Sequence, residues 1–173
     1  EQKSLAAFRD ECASQMRRLG REYPGRGYGG RFAKWLADDA MGPYNSFGNG
    51  SAMRVSPAAW AAGSLEEAEM LARASAEPTH NHPEGIKGAQ AVAAAIYLGR
   101  IRKRKKEIRD YIESKYYKLD FTLDDIRPSY SFNETCQGSV PQAIEAFLES
   151  ENFEDAIRNA VSIGGDSDTI AAM

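Results

Sequence analysis

Apolar side chains recur every three or four residues along most of this chain, and almost nowhere do they alternate. Leu5, Phe8, Cys12, Met16 and Leu19 share one face of a first predicted helix, with Gly20 where a C-terminal cap belongs. Phe32, Trp35 and Leu36 mark a short second helix after the Gly27-Tyr28-Gly29-Gly30 turn. Ser56-Pro57 reads as an N-cap followed by proline at the first helical position. Ser64 and Glu67 form a capping box ahead of Leu65, Ala68, Leu71 and Ala72. Ile86, Ala89, Val92, Ala93, Ile96 and Tyr97 make a stripe whose small residues permit close helix packing, and Ile108, Tyr111 and Ile112 continue in another amphipathic segment. Asn152 caps a helix carrying Phe153, Ala156, Ile157, Ala160 and Val161, closed by Gly164. No run of strands, internal repeat or low-complexity linker interrupts this pattern, which predicts one all-α, compact multi-helix domain over residues 1–173.

Composition narrows the picture without deciding it. A chain of 173 residues is ample for one domain with a real core. A net charge of −3 gives no electrostatic reason to expect nucleic acid or a membrane as partner. No apolar run approaches a membrane span and no signal peptide opens the chain, so cytoplasm is the expected compartment. Cys12 and Cys136 lie far apart without zinc-like spacing and are expected as reduced thiols. The basic run Arg100–Lys106, with Arg109 beyond, reads as a solvated helix junction moderated by Glu107 and Asp110. No aromatic residues interleave it as stacking platforms for nucleic acid.

Four segments carry more chemistry than connectors need. Gly164-Gly165 releases the chain from one helix. Asp166, Ser167, Asp168 and Thr169 then open the next. Two carboxylates and a hydroxyl offer oxygens to a hard cation such as Mg²⁺ or Mn²⁺, while the ordinary alternative is helix capping by Asp166 or Ser167. In Gly48-Asn49-Gly50-Ser51-Ala52-Met53-Arg54 the glycines allow close backbone approach and an anion nest. Arg54 there is suited to a carboxylate or phosphate, and the alternative is a polar turn. Thr79-His80-Asn81-His82-Pro83 holds both histidines of the chain. It reads as a substrate contact or as a helix-entry turn. Nuclease chemistry is rejected for its H-N-H letters, because no ββα unit surrounds them. In Thr135-Cys136-Gln137-Gly138-Ser139-Val140-Pro141-Gln142, Ser139 and Gln142 fit a capping box, and Cys136 reads as a buried thiol.

Taken together and in this order, the four segments resemble the ADP-ribosylglycohydrolase family, which includes the dinitrogenase reductase-activating glycohydrolase. The resemblance implies an all-helical fold, a binuclear Mg²⁺ (sometimes Mn²⁺) centre, and hydrolysis of a glycosidic bond at the distal ribose of ADP-ribose. It implies metal ligation by Asp166, Asp168 and Thr169. Gly48, Asn49, Gly50, Ser51, Met53 and His80 then line the ADP-ribose cleft. The implied partner is an ADP-ribosylated protein or a small ADP-ribose derivative. His82 matches no family role.

One departure matters. The family's early acidic residue and Thr-Asp-Asp triplet, which complete the metal centre, have no counterpart here. Asp124-Asp125 follows Leu123, and Asp38-Asp39 also lacks the threonine. The chain is therefore expected to be a domain truncated at both ends, with the principal catalytic carboxylate outside it. Two functional expectations follow: a metal-dependent hydrolase completed by other sequence, or a non-catalytic ADP-ribose-binding or structural helical protein. A helical adaptor using the basic run is a third.

Overall fold

The computed structural model describes residues 5–173, and eleven helices with no strand account for its regular structure. They are α1 (Leu5–Glu22), α2 (Gly30–Ala37), α3 (Gly50–Met53), α4 (Ser56–Ala61), α5 (Leu65–Ala76), α6 (Pro83–Arg100), α7 (Lys105–Lys115), α8 (Leu123–Ile126), α9 (Cys136–Glu149), α10 (Phe153–Ser162) and α11 (Ser167–Ala172). No described helix is long and apolar enough to cross a membrane.

Helix α6 is the axis of the molecule. Its alanines Ala89, Ala91, Ala93 and Ala94 are fully buried on several faces, which only a surrounded helix requires. Helices α3, α4, α5, α7 and α9 pack around it. Small side chains let their axes approach. A Cβ at Gly88 would run into the sulfur of Cys136 on α9. Val55, Val92, Ile108, Ile112, Val140 and Ile144 fill this main core. A smaller core of Leu123, Ala143, Ala146, Ala160, Ile163 and Ile170 holds α8, α10 and α11 against α9.

Several local signals do what the sequence predicts. Ser64 accepts from the Glu67 N–H, and Asn152 accepts from the Asp155 N–H. Others shift. Gly20 does not end α1, which continues to Glu22. It is buried because a Cβ there would meet Leu36 at 2.6 Å. Ser56 is the first residue of α4, and Val55 takes the cap position. The Ser139–Gln142 capping box does not form. Helix α9 is capped four residues earlier, where Thr135 Oγ1 accepts from the Gly138 N–H at 3.1 Å.

The basic run behaves as a set of structural clamps. Arg100 donates to the carbonyls of Ala59, Trp60 and Ala62, closing the end of α4. Lys105 donates to the Phe147 carbonyl, and Arg109 reaches the buried Glu145. Lys103 and Arg104 pair with Glu107, and Lys106 with Asp110. The two acidic pairs are also structural. Asp39 meets Arg17 and Arg21, Asp124 meets Arg127, and Asp125 completes the Thr122 cap of α8.

Candidate functional site

The glycine loop and the start of α9 are zipped together by backbone. Gly48 and Thr135 form an antiparallel bridge, in which the Asn49 N–H donates to Glu134 O at 2.8 Å and the Cys136 N–H to Phe47 O at 2.9 Å. This brings Asn49 beside α9, where its Nδ2 donates to Ser139 Oγ at 3.1 Å and to Asp166 Oδ2 at 2.7 Å. The Asp166 carboxylate needs a donor, which fixes the orientation of the amide. Ser139 Oγ donates in turn to Thr135 O at 2.6 Å.

Tyr130 holds the last two segments against each other. Its hydroxyl donates to Gly138 O at 2.7 Å, and its ring lies where a Cβ on Gly165 would sit, 2.5 Å from Cε1. Gly165 has φ +68, a left-handed conformation that suits glycine. Burial, and then the negative charge of Asp166, push the Tyr130 phenol up to about 12. Its place between two motif loops is a long-range contact that no local pattern announces.

His80 closes the other side of the glycine loop. Its Nε2 lies 3.3 Å from the position of a Cβ on Gly50 and 3.6 Å from one on Gly48. Burial, with the nearby charge of Arg54, depresses its pKa to about 3, so it is neutral across the physiological range. His82 has a different task, accepting from the Glu84 N–H as the N-cap of α6. The Asn45 N–H donates to Asn81 Oδ1 at 2.7 Å, tying the segment before the glycine loop to the His80 turn.

Several site candidates are committed to the protein's own structure. Ser51 is fully buried and donates to Gly85 O at 2.7 Å. Cys136 is sealed beside it, its Sγ donating to Gly48 O at 3.2 Å, and burial pushes the thiol up to about 11. Arg54 meets no carboxylate among the described residues; it donates to Ser75 O and Thr79 Oγ1. The anion nest is narrower than its sequence suggests, since the Gly48 N–H goes to Ser46 Oγ and that of Asn49 to Glu134 O. The N–H groups of Gly50 and Ser51, at the start of α3, find no acceptor outside that helix among the described residues. Met53 is exposed at the end of α3.

At the start of α11, Asp166 takes the cap position without capping by its side chain, Asp168 is exposed, and Thr169 is buried. Asp168 Oδ1 accepts from the Thr169 N–H at 2.9 Å. No described lysine or arginine forms an ion pair with either carboxylate. In kind, this all-oxygen set fits a hard divalent cation. In number it falls short of a full coordination shell, because no group of three or more His, Cys, Asp or Glu gathers among the described residues. An apolar groove of about 510 Å³ between α6, α9, α10 and α11 is separate from these loops and is lined by Ile96, Phe147, Phe153, Ile157 and Met173.

Comparison with known proteins places the chain among its relatives. The family model described as ADP-ribosylglycohydrolase matches residues 2–173. ADP-ribosylhydrolase ARH3 of Bos taurus is 25% identical, over 90% of this chain and 60% of the bovine protein. Its Homo sapiens counterpart is 29% identical over the same shares, 90% and 60%. An uncharacterized protein of Archaeoglobus fulgidus is 29% identical over 72% of this chain and 46% of its own length. The chain thus spans about 60% of the length of the curated ARH3 relatives it matches. With its helical architecture and four motif loops gathered around Asn49 and His80, the chain belongs to the ADP-ribosylglycohydrolase family.

Proposed function

We propose that this protein removes ADP-ribose from a modified acceptor, a protein side chain or a small derivative, by Mg²⁺-assisted hydrolysis at the distal ribose. The observation that carries the proposal is the Asn49 amide, which ties the glycine loop to Ser139 and to Asp166 across 117 residues of sequence. Such a tie costs conformational entropy and is expected where several loops must present their atoms to one ligand.

In this reading the Gly48–Met53 loop and His80 receive the diphosphate end of the ligand. Asp166, Asp168 and Thr169 face its distal ribose and contribute ligands to the metal. Bound Mg²⁺ would stabilise developing negative charge and lower the pKa of a coordinated water. Asn49 holds Asp166 in place by donating to it. Asp168, exposed at the first turn of α11, would orient the water. The alternative, a cleft that binds ADP-ribose without turnover, draws support from the shortage of acidic ligands among the described residues.

Release of ADP-ribose from an ADP-ribosylated acceptor, measured with and without Mg²⁺, separates the two. Turnover that needs Mg²⁺ and is lost in Asp168→Ala is the expected result for the hydrolase, and full activity in Asp168→Ala overturns the role given to α11. ADP-ribose binding without turnover favours the non-catalytic reading.

A further inference from the structure

Behind His80 lies a cation that no carboxylate among the described residues neutralises. Arg54 points inward, donating from one Nη to Ser75 O at 3.0 Å and to Thr79 Oγ1 at 2.8 Å. Its Nε is sealed from solvent without a partner. Thr79, itself fully buried, places the same Oγ1 at 2.7 Å from His80 Nδ1. The three side chains form a line from the interior to the glycine loop.

The direction of the protons along this line follows from what each group can do. A guanidinium has donors only, so Arg54 must donate to Thr79. The threonine hydroxyl keeps one proton of its own, and His80 Nδ1 is the acceptor within reach. Were Nδ1 to carry a hydrogen and donate instead, the Thr79 proton would be buried without an acceptor, at a cost of about 1–3 kcal/mol. The positive charge of Arg54 also opposes a proton on Nδ1. Neutral imidazole carries one hydrogen, which is therefore left to Nε2. That atom has no acceptor within the described protein and is not among its sealed polar atoms.

We infer that Arg54 and Thr79 are positioning residues that hold His80 as its neutral Nε2–H tautomer, so that it presents one fixed donor beside Gly48 and Gly50. The donor suits an anionic oxygen, and a backbone there without Cβ atoms gives that oxygen room. An imidazole in the other tautomer would turn a lone pair toward the same oxygen and repel it. The ligand half of this inference rests on the proposed ADP-ribose cleft, whereas the tautomer does not.

Long-range ¹H–¹⁵N correlation of the histidine ring nitrogens reads the tautomer directly. His82→Asn, which keeps a capping side chain, leaves His80 as the single imidazole. The expected spectrum has Nε2 protonated and Nδ1 bare at pH 7. A proton on Nδ1 overturns the inference, and this measurement needs no change to the relay itself. Thr79→Val is expected to mix or reverse the tautomer and to weaken ADP-ribose binding by about 5–10-fold, the worth of one hydrogen bond. Thr79→Ser should restore both. An unchanged tautomer in Thr79→Val removes the relay. If the tautomer responds as expected but the parent protein does not bind ADP-ribose, the relay stands and the proposed ligand falls.

Discussion

Asn49 Nδ2 stands 2.7 Å from Asp166 Oδ2, joining residues that lie 117 positions apart in the chain. Asn49 is buried, and the same nitrogen also reaches Ser139. Removing the amide leaves a part-buried carboxylate without its donor. Asn49→Ala is expected to cost about 1–3 kcal/mol in urea unfolding. Asn49→Asp is the sharper test. Two carboxylates at this separation cannot both ionise, so the variant should be less stable than the parent at neutral pH. If α11 contributes to a metal site, millimolar Mg²⁺ should recover more of the variant's melting temperature than it adds to the parent's. An equal response in both proteins would argue against metal at Asp166.

Gly164 and Gly165 are a matched pair of probes, since both have positive φ, at +74 and +68. A Cβ on Gly164 meets nothing within 4 Å, whereas one on Gly165 meets Tyr130 Cε1 at 2.5 Å and Ser131 O at 3.1 Å. Gly164→Ala should pay the left-handed backbone term alone, about 1–2 kcal/mol. Gly165→Ala adds displacement of the Tyr130 ring, and with it the bond to Gly138. At roughly 2–4 °C per kcal/mol for a chain of this size, the second variant should melt lower by several degrees more than the first. Equal melting temperatures would show that Tyr130 moves aside at no cost.

The helical architecture was legible because its signals are local. Ser64, Asn152 and the Ile86–Tyr97 stripe each decide their own turn, and the structure keeps all three. What failed were residues whose role is set by a distant neighbour. Gly20 has the look of a cap, but Leu36 closes over it. Ser139 fits a capping box, yet its hydroxyl is taken by Thr135 O and Asn49, and the helix starts earlier. The motif segments themselves were legible by resemblance. The bonds that assemble them were not. Nothing near Tyr130 or Arg54 announces Gly165 or Thr79 as a partner, because such pairs exist only once the chain has closed.

Cys136 offers a chemical test of the core beneath the glycine loop. It is fully buried, hydrogen-bonded to Gly48 O, and raised to about 11 by burial. A thiol-specific reagent at pH 8 should modify the half-buried Cys12 first and leave Cys136 intact in the folded protein. Denaturant should expose both. Rapid labelling of Cys136 without denaturant would show that the Gly48–Thr135 bridge opens readily.

His80 should make the protein sensitive to mild acid. Its folded pKa, about 3, lies below the 6.5 of an unfolded histidine, because burial and Arg54 oppose the charged form. Between these values the unfolded chain takes up a proton that the folded chain refuses, so stability falls as pH falls. Above pH 6.5 both states are neutral and the term vanishes. From pH 7 to pH 5 this one group should remove about 2 kcal/mol, since each unit below 6.5 is worth about 1.4 kcal/mol. Urea unfolding at the two pH values measures the difference directly. His80→Gln cannot take up the proton in either state and should flatten the pH dependence by that amount, even if it lowers stability overall. The same slope in parent and variant would place the acid sensitivity elsewhere and show that His80 is more open to water than its packing implies.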